Sequence, residues 1–167
     1  MKTTLAAIAL TALAGTALAQ AWTPVQSLAG RYSRNFQNAT VSGEKYRSDD
    51  VIEVVPVGPG HAYVRASLAF YNGHSCGIHG IARAERDELV YREKSDGSGQ
   101  RPCTFTLRRE GDQLVFDDAG TCSSYCGARG SLTGNLPWES KRRIRYMTRL
   151  KNSREYAEAM EAWGGRQ

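Results

Sequence analysis

From residue 28 onward, apolar and polar positions alternate with period two, and Gly, Asp, Asn or Pro breaks the alternation every eight to twelve residues. That is the pattern of antiparallel strands joined by tight turns. Ala62, Val64, Ala66, Leu68 and Phe70 fall on one face of such a strand, and Tyr63, Arg65 and Ser67 fall on the other. The first set predicts a core face and the second a wet one. Val51–Val57 is apolar on both faces but carries Pro56, which cannot donate to a ladder and pushes that end toward an edge or a bulge. One hairpin is predicted from Ile78–Ala84 and Leu89–Glu93 around Arg86-Asp87, and another from Thr104–Arg109 and Leu114–Asp117 around Glu110-Gly111-Asp112. Leu28–Tyr32 reads as a first strand in which Gly30 lets a neighbouring chain approach closely, and Arg143–Leu150 reads as the last.

After the last strand the period changes. Ser153 is an N-cap candidate, Tyr156, Met160 and Trp163 recur at helical spacing, and Gly164-Gly165 supplies a stop. A helix over 153–163 is expected to lie on the sheet, its aromatic stripe serving as packing. About eight short strands and a packed helix point to an all-β fold: a small antiparallel barrel with a C-terminal helix, the β-sandwich being the alternative.

The N-terminus follows another rule. Lys2 precedes an uncharged stretch from Thr3 to Ala19 that ends on Ala17-Leu18-Ala19. This is the layout of a cleavable secretory signal peptide over residues 1–19, with a cut after Ala21 as the competing site. The apolar stretch is too short to span a bilayer, and no later run is long enough. The remaining residues, 20–167, suit a single domain. Cleavage takes the net charge from +5 to +4, a mildly basic balance whose strongest cluster is Lys141-Arg142-Arg143. At strand spacing Arg143, Arg145 and Arg149 share a face, read as a solvated face ahead of an anion site. Export also removes most nucleic-acid partners, so none is expected.

All four cysteines, Cys76, Cys103, Cys122 and Cys126, lie after the leader. In an exported small domain an even count reads as disulfides. Three pairings are open. Cys103–Cys122 with Cys76–Cys126 is favoured, because the first pair staples the base of a predicted hairpin. Cys76–Gly80 and Cys126–Gly130 also look alike, as two strands entered in the same way do.

Candidate chemistry is sparse. His74, Cys76 and His79 are metal-competent side chains, but oxidation of Cys76 removes its thiolate, and His74 and His79 project to opposite faces of an extended segment. No metal and no cofactor is therefore assigned. His61 is placed in an exposed turn. There is no G-x-S-x-G elbow, HExxH or phosphate-binding glycine loop. Asp49-Asp50 and Asp117-Asp118 are read as turn and solubility residues, and Ser95–Gly99 as a flexible loop.

Two resemblances bear on function. The Gly30-Xaa-Tyr32 opening and the helix after the last strand look like features of lipocalin-like barrels, although lipocalins usually carry Trp where Tyr32 stands. This implies a ligand cavity and names no ligand. The stretch from Cys103 through Cys122-Ser123-Ser124-Tyr125-Cys126 to Gly130 is similar to segments of exported proteobacterial small β-proteins, some of them lysozyme-inhibitor-like. The chain departs from that pattern in being basic, whereas inhibitors of basic lysozymes tend to be acidic.

The expected function is a non-enzymatic binding protein of the bacterial envelope or periplasm, holding a small ligand or an envelope partner such as a cell-wall enzyme. Its site is expected at the barrel mouth or on a loop rim near Tyr71, Asn72, His74, Tyr125 and Arg129. The alternatives are a metal carrier or metalloenzyme centred on His74 and His79, and a structural envelope protein whose Arg143, Arg145 and Arg149 contact anionic polymers.

Overall fold

The computed structural model describes residues 23–95, 97 and 99–164. The expected leader, part of the Ser95–Gly99 loop and Gly165 lie outside the described residues. The chain forms α1 (Pro24–Leu28), eight strands, then α2 (Met147–Lys151) and α3 (Arg154–Gly164). The strands are β1 (Gly30–Ala39), β2 (Lys45–Gly58), β3 (His61–Ala69), β4 (Ser75–Glu85), β5 (Glu88–Arg92), β6 (Thr104–Glu110), β7 (Gln113–Asp117) and β8 (Gly134–Pro137). They pair antiparallel in strict sequence order, and β8 returns beside β1 to make a nearly closed barrel.

Alternation builds the interior. Tyr32, Ile52, Val54, Ala62, Val64, Ala66, Leu68, Ile78, Ala82, Leu89, Phe105, Leu107, Leu114 and Leu136 form one buried cluster inside the barrel. Val25 and Leu28 of α1 join it and plug one end, and the Tyr32 hydroxyl donates to the Leu28 carbonyl at 3.1 Å. Thr23 opens α1, its N–H donating to Gln26 Oε1 at 3.2 Å, with Pro24 at the position where no N–H is needed. The expected first strand was therefore misplaced at its start: Leu28 ends a helix, and the strand runs from Gly30 to Ala39.

The outer face of β2–β4 is not wet where it was expected to be. Tyr63 is fully buried in a second cluster with Val55, Ile81, Ile144, Leu150 and Ala159, against which Tyr156, Met160 and Trp163 of α3 pack. Ser153 caps α3, its Oγ accepting from the Tyr156 N–H at 3.3 Å. The larger correction concerns Arg143–Leu150, which forms a turn and then α2 instead of a strand. Ile144 and Leu150 are still buried, now between helices and sheet. The eighth strand is Gly134–Pro137, too short and too poor in apolar residues to announce itself.

Both disulfides sit at the barrel end opposite α1, pairing Cys76 with Cys126 and Cys103 with Cys122. The likeness of Cys76–Gly80 to Cys126–Gly130 does not reflect two strands. The second segment pairs with β4 only at the Cys76–Cys126 bridge and then turns away. Pro56 stands where expected, at a register shift near the end of β2.

Candidate functional site

Two surfaces concentrate chemistry. The first is the upper seam of the barrel, where no hydrogen-bonded ladder joins β1 to β8. A cleft of about 480 Å³ opens there, walled by Phe36, Phe70, Tyr71 and Phe116 and floored by Arg34 and Asp50. Asp50 is nearly buried. Its Oδ2 accepts from Arg34 at 2.7 Å and its Oδ1 from the Ala69 N–H at 3.0 Å. This carboxylate, read from sequence as a turn residue, instead anchors an ion pair inside the barrel mouth.

The expected rim residues are only partly assembled. Tyr71 and Asn72 lie in a 3-10 turn that leads into His74, and the Arg129 guanidinium lies 5.7 Å from the Tyr71 ring centre. The Tyr71 hydroxyl donates to the Thr40 carbonyl and the Asn72 side chain accepts from the Val41 N–H, so both brace the β1–β2 turn. His74 packs against Gly127, where an added Cβ would come within 3.0 Å of its ring. Tyr125 faces elsewhere. Its hydroxyl donates to Glu93 at 2.5 Å, and burial, then that hydrogen bond, pushes its pKa up. Among the five, Tyr71 alone lines the cleft.

A metal centre does not assemble from the expected donors. Cys76 is in a disulfide, and His79 points outward to Glu158 at 3.4 Å. Among the described residues no group of three or more His, Cys, Asp or Glu side chains is placed to hold a metal ion. His61 is half-buried instead of exposed, its ring 5.4 Å from that of Trp163.

The second surface is a groove of about 490 Å³ lined by Arg31, Arg142, Arg143, Arg145, Tyr146 and Arg149. Backbone pairing builds it: the Arg31 N–H donates to the Arg142 carbonyl, and the Arg142 N–H to that of Arg31, each at 2.8 Å. Gly30 makes this approach possible, since a Cβ there would lie 3.1 Å from the Arg142 carbonyl oxygen. Beneath the groove Glu53 is fully buried. Its carboxylate accepts from Arg65 at 2.7 Å and from the Tyr146 hydroxyl, which fixes Tyr146 in place. Burial, then the bond to Glu53, raises the Tyr146 pKa. The Arg149 guanidinium lies 4.9 Å from the centre of the Tyr146 ring.

Glu53 is thus consumed by Arg65 and Tyr146. Among the described residues none of Arg31, Arg142, Arg143, Arg145 and Arg149 forms an ion pair with a carboxylate. Compared with family models, with curated proteins and with solved structures, the chain matches none. The two surfaces are the candidate sites. The sequence placed Arg143, Arg145 and Arg149 on one strand face, read as solvated ahead of an anion site; a turn and a helix gather them instead. Arg31 was missed: no local signal tells that its strand edge receives residue 142. No helix among the described residues is long and apolar enough to cross a membrane.

Proposed function

We propose that this is an exported, non-enzymatic binding protein of the bacterial envelope or periplasm whose principal site is the arginine groove. The observation that carries the reading is five guanidinium groups around Tyr146, none of which is ion-paired with a carboxylate among the described residues. Gathered like charge raises the free energy of the ligand-free surface, and a bound phosphate or carboxylate relieves it through paired N–H···O bonds. Two disulfides support an extracytoplasmic home. The ligand is a small anion or the anionic face of an envelope partner, and the lysozyme-inhibitor-like likeness of Cys103–Gly130 keeps a cell-wall enzyme in the second class.

The test is a titration with inorganic phosphate at low ionic strength, followed residue by residue through backbone amide shifts. Shifts should gather on Arg31 and on residues 142–149. The double variant Arg143→Gln/Arg145→Gln should bind at least fivefold more weakly, and added salt should weaken binding further. Shifts scattered evenly over the surface, or an unaffected double variant, would defeat the reading.

The seam cleft favours a second reading, a small-ligand site inside the barrel mouth. It is supported by aromatic walls around the Arg34–Asp50 pair. Ligand-induced shifts at Arg34, Asp50 and Tyr71 instead of the groove would select it.

A further inference from the structure

The arginine groove has an apolar neighbour. Between the end of α1, β2 and the chain entering α2 lies a hollow of about 540 Å³ whose floor is Ala29, Val54, Pro56, Ile144 and Met147. Arg142 and Arg143 line both the hollow and the groove, so charged and apolar surfaces meet along one stretch of backbone. From this juxtaposition, and resting on the anion reading above, we infer that the combined site takes a monomeric anionic amphiphile. The phosphate head sits among Arg31, Arg142, Arg143 and Arg145, and a single alkyl chain lies in the hollow against Met147.

Three features fit this occupant. The Arg143 and Arg145 guanidinium groups supply paired donors to tetrahedral oxygens, while Arg31 and Arg142, whose Nη1 groups donate to Ser33 Oγ and to the Glu139 and Lys141 carbonyls, offer their remaining N–H groups. The hollow offers carbon surface, with Lys141 as its other polar neighbour; burial, then the nearby Arg109, lowers the Lys141 pKa. Lys141 is itself held by the Ser27 carbonyl and by the Trp138 ring, whose centre is 4.8 Å from its ammonium. It therefore walls the hollow instead of reaching into it. A polymer of repeated anions would leave this apolar surface uncovered, whereas a head with one tail covers both parts.

Calorimetric titrations of the oxidised protein with inorganic phosphate, n-butyl phosphate, n-octyl phosphate and n-octanol, all below micelle-forming concentration, test the inference. Burial of even a few methylenes should make octyl phosphate at least about tenfold tighter than inorganic phosphate, with butyl phosphate between. Met147→Ser should cut the chain-length gain severalfold and leave inorganic phosphate unchanged. If phosphate binds but chain length adds nothing, the inference falls and the anion reading stands. If no phosphate species binds, the anion reading falls as well. Octanol binding as tightly as octyl phosphate would uncouple hollow from groove and overturn the inference. So would a concentration-dependent dimer dissolved by Met147→Glu, which would assign the hollow to a second copy.

Discussion

Single residues show where the packing is tight and where it carries a cost. A Cβ built on Gly80 would lie 2.1 Å from the Tyr91 ring, which crosses over β4 beyond the last β4–β5 pair, Arg83 with Val90. Gly80→Ala must displace that half-buried ring from its packing against the barrel core and is expected to cost about 1–3 kcal/mol in urea unfolding. An unchanged midpoint would show that the ring moves freely. Tyr63 is the opposite case. Its ring packs 4.9 Å from Tyr156, yet its buried hydroxyl has no hydrogen-bond partner among the described residues. Tyr63→Phe keeps the ring and removes an unsatisfied donor, so stability should hold or rise by up to about 1 kcal/mol. A loss larger than that would reveal a partner for the hydroxyl. The sequence gives no hint of either behaviour: alternation places Tyr63 on the outer face, and only the helix that covers it decides what the hydroxyl meets.

At the scale of elements, legibility follows how local the signal is. The two hairpins around Arg86-Asp87 and Gly111 were read nearly to their ends because turn residues and alternation agree there. Val51–Val57 is apolar on both faces, and its outer residues Val55 and Val57 pack in the cluster that α3 joins. The Arg143–Leu150 segment misled because its apolar residues alternate as a strand's do, while burial against two neighbours requires only that Ile144 and Leu150 reach inward. What holds this segment down is non-local: the Tyr146 hydroxyl on Glu53, with Arg65 paired across the β2–β3 ladder. Glu53→Ala leaves a half-buried guanidinium and the Tyr146 hydroxyl without their acceptor. It should cost about 3 kcal/mol. Trypsin should then cut after Arg143, Arg145 or Arg149 much faster than in the parent protein while β1–β7 stay intact. Equal cleavage rates would show that apolar packing alone docks α2.

For the whole molecule, the disulfides and the titrating groups set the range in which the barrel survives. The Cys76–Cys126 and Cys103–Cys122 links close stretches of 50 and 19 residues, so both act mainly by restricting the unfolded chain. Within the oxidised protein, pH dependence has two arms. The Thr133 hydroxyl, then the Ala119 N–H, holds Asp117 below its usual range, and hydrogen bonds to the α3 N-terminus and to Ser153 do the same for Glu155. A depressed carboxylate contributes its full stability above the unfolded value of about 4, and that stability is lost as pH falls through the lower folded value. Tyr32, Tyr63 and Tyr125 are raised, first of all by burial, and so is Tyr146. A raised phenol contributes fully below the unfolded value of about 10 and loses that contribution as pH climbs through the folded value. Thermal unfolding followed by circular dichroism should therefore show a plateau between about pH 4 and 10 that falls on both sides. Asp117→Asn should make the acid arm shallower and Tyr125→Phe the alkaline arm, the remaining groups keeping part of each slope, and neither substitution should change the other arm. If one substitution moved both arms together, the fall-off would reflect net charge acting on the whole barrel instead of these particular groups.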